Sequence, residues 1–329
     1  MDKLKIIESL DEIKLKINKL MNEIKMSIAS ENAVMQHYGN YILEPKEKTT
    51  DIKVNETESK AEVISNKIQE DFIELQQLLN SSNWPESVLE FQIVNQSSEE
   101  EKMDRAEGIV DSILEEPVEN KKVLDFGCGE GHVSKYLSKE KVKISVGYDI
   151  TSTEKSKFNW NEKKDNLLLT TNFEKVKEES PYDIIILYDV IDHLEGDPSV
   201  VLGELKDLLS SEGKIYIRFH PWSSRHGGHL YRDINKAFVH LIFTEEELNS
   251  MGYKIEEPNL RIIFPINNYE EIIRKSKLKK ISSNIERQKI ESFFSSNDLI
   301  KNRIMKIFKS NNFPSFQMEQ CFLDYVLTK

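Results

Sequence analysis

The sequence predicts an α/β fold: a seven-stranded, mostly parallel sheet with helices on both faces, preceded by an N-terminal helical, coiled-coil-like extension. Three observations lead there. From about Arg105, short apolar runs alternate with amphipathic stretches. Residues 123–134, VLDFGCGEGHVS, read as a strand entering a glycine-rich turn and then a helix. Before residue 100 the apolar positions recur instead at steps of three and four.

A chain of 329 residues has room for one catalytic-sized domain and an appendage, divided here as 1–100 and 101–329. Its 38% hydrophobic and 31% charged residues suit a globular protein with a wet surface. The net charge of −12 disfavours nucleic acid or an anionic membrane as a partner for the whole surface. No run approaches the roughly 18 apolar residues of a membrane span. The N-terminus, MDKLKIIESLDEIKLK, mixes charge with Ile and Leu, unlike a secretory signal, so a cytoplasmic location is expected. Cys128 and Cys321 lie far apart without metal-ligand spacing, so neither a disulfide nor a zinc site is expected.

In the N-terminal region Ile6, Leu10, Ile13, Ile17, Leu20 and Ile24 form a seam of about three heptads within a helix at 4–28. Residues 1–30 could thereby pair a homo-oligomer, hold a protein partner or pack within the chain. Residues 38–60, polar and containing Pro45, Thr49, Thr50 and Asn55, read as a linker. A second helix at 62–80 carries Val63, Ile64, Ile68, Phe72, Leu75 and Leu79 on one side and stops at Asn80-Ser81-Ser82-Asn83.

In the second region strands are expected at Lys122–Phe126, Lys143–Asp149, Leu167–Thr171, Tyr182–Tyr188 and Lys214–Phe219. Two more, near Lys254–Phe264 and Phe316–Leu327, complete seven. Between these last two, Lys and Arg outnumber acids over 268–312, which reads as a basic helical insertion.

Glycines at 127, 129 and 131 remove the Cβ atoms that would keep a ligand off the backbone, and the following helix start offers free N–H donors. His132 stands where a dinucleotide fingerprint needs its third small residue. Asp125, just before the glycines, would repel a pyrophosphate but suits an ammonium group. Asp149, eighteen residues after Gly131, ends the second strand, where a carboxylate can accept both hydroxyls of a ribose. The glycine turn between these two carboxylates therefore suits S-adenosylmethionine better than a nicotinamide dinucleotide.

On LDFGCGEG and Asp149 the sequence resembles the class I S-adenosylmethionine-dependent methyltransferases, over about residues 105–264 and the last strand. The resemblance implies a Rossmann-like sheet, S-adenosylmethionine as cofactor, and a cofactor site drawn from Asp125, Phe126, Gly127, Cys128, Gly129, Gly131, Asp149 and Ile150. It extends that site to Asn172 and Phe173 beside the adenine, with Asn172 replacing the usual Asp. It adds Tyr188, Asp189 and Val190 under the reactive methyl, at the carboxyl edge of the fourth strand.

The loop 220–243, which begins HPWSSRHGGHLYRDINKAFVH after Arg218-Phe219, leaves the same edge. Its His220, His226 and His229, with His193, are candidate bases for a hydroxyl acceptor. Arg225, Tyr231 and Arg232 are candidate acceptor contacts, the arginines suiting an anionic one. Gly227 and Gly228 argue against one helix presenting His226 and His229 together, so no metal is expected. The reading that follows is methyl transfer to an oxygen or nitrogen of a small or medium acceptor. Two others stand beside it: an RNA or protein methyltransferase docking through the basic insertion and N-terminal helices, and an oligomeric assembly component carrying the cofactor domain. The absence of an Asn-Pro-Pro-Tyr sequence after the fourth strand, where Tyr188-Asp189-Val190-Ile191 stands, disfavours amino methylation of DNA bases.

Overall fold

A computed structural model of the chain describes residues 72–88, 98–151, 156–194, 196–254, 265–287 and 298–329. The expected coiled-coil helix 4–28, the linker 38–60, the first part of the helix 62–80 and the strand at 254–264, save its first residue, lie outside the described residues. The chain divides into Met1–Ile64 and Ser65–Lys329, and the description below concerns the second unit.

Helix α1 spans 72–79. It is followed by α2 (Glu99–Ile113), β1 (Lys122–Phe126), α3 (His132–Lys139), β2 (Ile144–Tyr148), β3 (Lys163–Lys164) and β4 (Leu167–Thr170). Next come α4 (Phe173–Glu178), β5 (Tyr182–Tyr188), α5 (Pro198–Leu208) and β6 (Leu209–Phe219). The chain finishes with α6 (Val239–Ile242), α7 (Glu245–Ser250), α8 (Ile266–Ser276), β7 (Lys279–Arg287), α9 (Asp298–Ser310) and β8 (Gln320–Thr328). Local sequence sets several of these starts. Ser98 and Glu101 form a reciprocal capping box on α2, whose first turn carries three glutamates against the positive end of the helix dipole. Asp197 caps α5 by accepting from Ser199 N, with Pro198 at the first helical position.

Among the described residues the sheet has eight strands in the order β3-β4-β2-β1-β5-β6-β8-β7. Strands β4, β2, β1, β5 and β6 run parallel, and β3, β8 and β7 join antiparallel to their neighbours. Two features correct the sequence expectation. The strand count is eight, and the stretch 268–312 is not wholly helical: between α8 and α9 it contributes the edge strand β7, paired to β8.

Side chains alternate across the pleat and feed two cores. Leu124, Ile185, Leu187, Ile215 and Ile217 join Leu202 and Leu205 of α5 and Tyr269, Ile272 and Ile273 of α8. Val123, Ile184, Ile186 and Tyr216 join Val110 and Ile113 of α2 and Leu137 of α3. A third cluster stands apart from the sheet. It packs Leu75 and Leu79 of α1 with Trp84, Leu230, Phe238, Phe243, Leu248 and the Ile300, Ile304 and Phe308 face of α9. No helix among the described residues is long and apolar enough to cross a membrane.

Candidate active site

Strand β1 delivers the chain into the glycine turn. Gly127 N and Cys128 N both donate to Tyr148 O of β2, at 2.7 and 3.0 Å, which fixes the turn to the sheet edge. All three glycines have positive φ, at 78°, 54° and 90° for residues 127, 129 and 131. A Cβ at 127 would lie 2.5 Å from Val190 Cγ2, and one at 131 would lie 2.6 Å from Leu169 Cδ1. At Gly129 a Cβ would meet nothing within 4 Å. The outer glycines serve packing, while the middle one leaves backbone open to a ligand.

The two carboxylates flank this turn in different surroundings. Asp125 is buried, accepts from Ser134 Oγ at 2.7 Å, and is pushed up to about 6 chiefly by that burial. Asp149 accepts from Gly129 N at 2.9 Å and from Thr151 N at 3.2 Å. Next to it Ile150 is 77% exposed, an apolar side chain displayed where a base could cover it. Phe126, Tyr148 and Phe173 pack edge and tilted within 5.2–6.3 Å of one another. The open middle glycine, a carboxylate at each side and an uncovered apolar residue fit a nucleoside bearing an amino acid. Asn172, exposed, caps α4 by accepting from Glu174 N at 2.9 Å, so its carbonyl already has a structural task. The Cys128 thiol is pushed well up by burial, which makes it a packing residue rather than a nucleophile.

The second half of the site begins where β5 ends. Tyr188 pairs with Arg218, whose guanidinium donates to Tyr188 Oη, Asp324 Oδ1 and Glu286 Oε2 at 3.2, 2.8 and 2.9 Å. Asp189 turns the chain with φ 54°, held by its N donating to Arg218 O. Burial and then the neighbouring Asp192 raise Asp189 to about 7. Val190 abuts Gly127, and two residues later Asp192 is wholly buried.

Around Asp192 the structure gathers the predicted histidines. His220 Nδ1, His229 Nε2 and His193 Nε2 lie 3.7, 3.6 and 3.9 Å from its Oδ2. His193 and His229 stack at 4.9 Å, and His220 sits 4.3 Å from His229 and 4.9 Å from His226. His226 Nδ1 meets Cys321 Sγ at 3.8 Å. Burial lowers His226 to about 3 and, with the adjacent imidazoles, takes His220 well below its usual range. Burial raises Asp192 to about 7. The loop making this arrangement turns tightly at Gly227, where a Cβ would collide with Trp222 O at 2.4 Å.

All four predicted histidines therefore converge, and Tyr231 joins them edge-on to His229 at 6.1 Å. Arg225 does not join them. Its guanidinium donates to Glu86 O, and its own carbonyl accepts from Phe238 N, so it ties the loop to residues 84–88. Trp84 Nε1 to Ala237 O and Asn235 to the backbone of Val88 complete that tie. Arg232 lies in the turn Leu230–Arg232, and its side chain is outside the described residues. Asp192 and Tyr148 were not singled out from sequence. The pair Asp192-His193 carried the missing signal, since a buried carboxylate beside a candidate imidazole is what gathers the loop.

Residues 98–254 match the family model described as a methyltransferase domain. Among solved structures the chain is similar to the plantazolicin methyltransferase BamL, in complex with a triazolic desmethylPZN analog and SAH, at 18% identity over 82% of this chain and 98% of that one, TM-score 0.40. It is also similar to a putative S-adenosylmethionine dependent methyltransferase from Listeria monocytogenes, at 14% identity over 68% and 97%, TM-score 0.43. A third is the S-adenosylmethionine dependent methyltransferase from Mesorhizobium loti, at 13% identity over 69% and 100%, TM-score 0.41. No curated protein matches the chain in sequence.

Proposed function

We propose that the chain, whose residues 98–254 match a methyltransferase-domain model, acts as a class I S-adenosylmethionine-dependent methyltransferase and methylates an oxygen or nitrogen of a small or medium molecule. The observation that carries this reading is the enclosure of the acceptor side. His220 and His226 are buried, and residues 84–88 hold the loop closed through Trp84, Arg225 and Asn235. A loop tied down in this way over the strand ends favours a compact molecule over a polymer. Within the basic stretch Arg274, Lys280 and Arg287 are paired with Glu271, Glu270 and Glu319, which lowers the charge offered to a polymer there.

The residues divide the work. Asp125 and the glycine turn hold the amino acid end of the cofactor, Asp149 its sugar, and Ile150 one face of its base. When bound, the cofactor supplies a sulfonium methyl that is already activated. What remains for the chain is to bring the acceptor in line at about 3 Å, which by itself supplies much of the rate. Tyr188, Asp189 and Val190 set the floor beneath the methyl, and His193, His229 and Tyr231 present polar groups to the acceptor.

The test is incubation with methyl-deuterated S-adenosylmethionine and a fractionated cell extract. The label is expected in a low-mass product. Label confined to the RNA or protein fraction overturns the small-acceptor reading.

A further inference from the structure

We propose that Asp192, His220 and His229 form a binding site for one divalent transition-metal ion of the zinc class, at the acceptor side of the cleft. One ligand atom from each residue lies within 4.8 Å of the other two. The two imidazole nitrogens stand 3.7 and 3.6 Å from Asp192 Oδ2. Ligand atoms bonded at 2.0–2.1 Å in a tetrahedral shell are about 3.4 Å apart, so the observed spacing needs only small side-chain rotations to close on an ion.

A second observation shows that these groups are waiting for something. Asp192 is fully buried, and neither of its carboxylate oxygens has a hydrogen-bond donor. His220, 2% exposed, likewise has an Nε2 without a partner. A buried carboxylate left without donors is strongly destabilising. Among the described residues no Lys or Arg pairs with it, and imidazoles stand around it instead. A cation at the centre would satisfy the carboxylate and use the imidazoles as neutral ligands, which is the form burial favours for them.

The donor set decides the class of ion. Two imidazoles and one carboxylate suit zinc, iron or cobalt, whereas magnesium and calcium take oxygen shells. Three protein ligands leave a position open. His193, stacked on His229 and 3.9 Å from Asp192, borders that position. An oxygen or nitrogen of the acceptor could fill it and be fixed against the methyl by the bond. Metal binding itself does not depend on the cofactor reading, so the two fail separately.

The experiment uses the full chain, stripped with a chelator and titrated with Zn²⁺ against a chromophoric competitor. Co²⁺, read by its visible ligand-field absorption, reports imidazole ligation. About one equivalent of Zn²⁺ is expected, undisplaced by excess Mg²⁺. His229→Ala and Asp192→Asn should each weaken binding by about 100-fold or more, while His132→Gln, remote from the cluster, should not. Calorimetry with S-adenosylhomocysteine on the metal-free protein reports folding and the cofactor half independently. If Asp192→Asn does not fold, His229→Ala, at the rim of the cluster, decides alone. Failure of the wild-type chain to retain Zn²⁺, or equal retention by the variants that fold, overturns the site.

Discussion

Gly129 and Gly131 both adopt left-handed backbone, yet a side chain would meet different surroundings at each. Gly131→Ala would force a methyl into Leu169 in addition to straining φ, for a cost of about 2–4 kcal/mol. Gly129→Ala meets only the strain, about 1–2 kcal/mol, but its methyl enters the space read as the ligand's. Thermal melts should show the larger loss at 131. Calorimetry with S-adenosylhomocysteine should show weakened binding at 129 disproportionate to its stability change. Asp125 gives a pH prediction at the same scale. Burial raises its folded pKa to about 6, against about 3.9 in an unfolded chain. The folded state thus holds this proton more tightly, so the contribution is neutral below about pH 4, turns unfavourable between about 4 and 6, and is constant above. Its limit is about 3 kcal/mol. Denaturant titrations of wild type and Asp125→Asn should converge in acid and diverge above pH 6, with the variant gaining. Cofactor affinity should move oppositely in the wild type, rising with pH through 6 as the carboxylate proposed to meet the ammonium ionises.

The elements were legible where burial imposed a pattern. Strands β1 and β5 fall at the residues expected, because KVLDF and YDIIILY are apolar runs bounded by turn residues. Strand β7 was missed for the converse reason. In KKISSNIER no side chain is fully buried, so no alternation marks it, and charged residues are what an edge strand tolerates. What holds the far side of the sheet is a polar row instead. Tyr188, Arg218, Asp324 and Asn284 are register partners across β5, β6, β8 and β7. Arg218→Met should therefore cost about 3 kcal/mol by leaving Asp324 unpaired, whereas Arg218→Met with Asp324→Leu should recover part of it. Urea midpoints of the single and double variants measure the difference. The histidines of the site were legible as a cluster in the chain. Their organiser was not, because Asp192 belongs to a different loop, and only the sheet order β1-β5-β6 sets the ends of β5 and β6 side by side.

In the second unit as a whole, the third hydrophobic cluster joins the segment 72–84, which precedes the sheet, to segments inserted between β6 and β8. Trp84 is its hinge with the loop: 2% exposed, packed on Phe243 at 6.1 Å, and donating to Ala237 O at 2.9 Å. Trp84→Ala should cost about 3–5 kcal/mol within this cluster. Because the sheet cores do not use Trp84, hydrogen exchange should rise first over residues 220–250 while the β1 and β5 amides stay protected. Uniform loss of protection would instead mean that the cap and sheet unfold together.

Val190 occupies the volume that any residue at 127 except glycine would need. The glycine bend, proposed to receive the donor, and the bend that leads to the imidazoles are thereby packed directly against each other. Any coupling carried by that contact acts by the same factor whichever ligand arrives first.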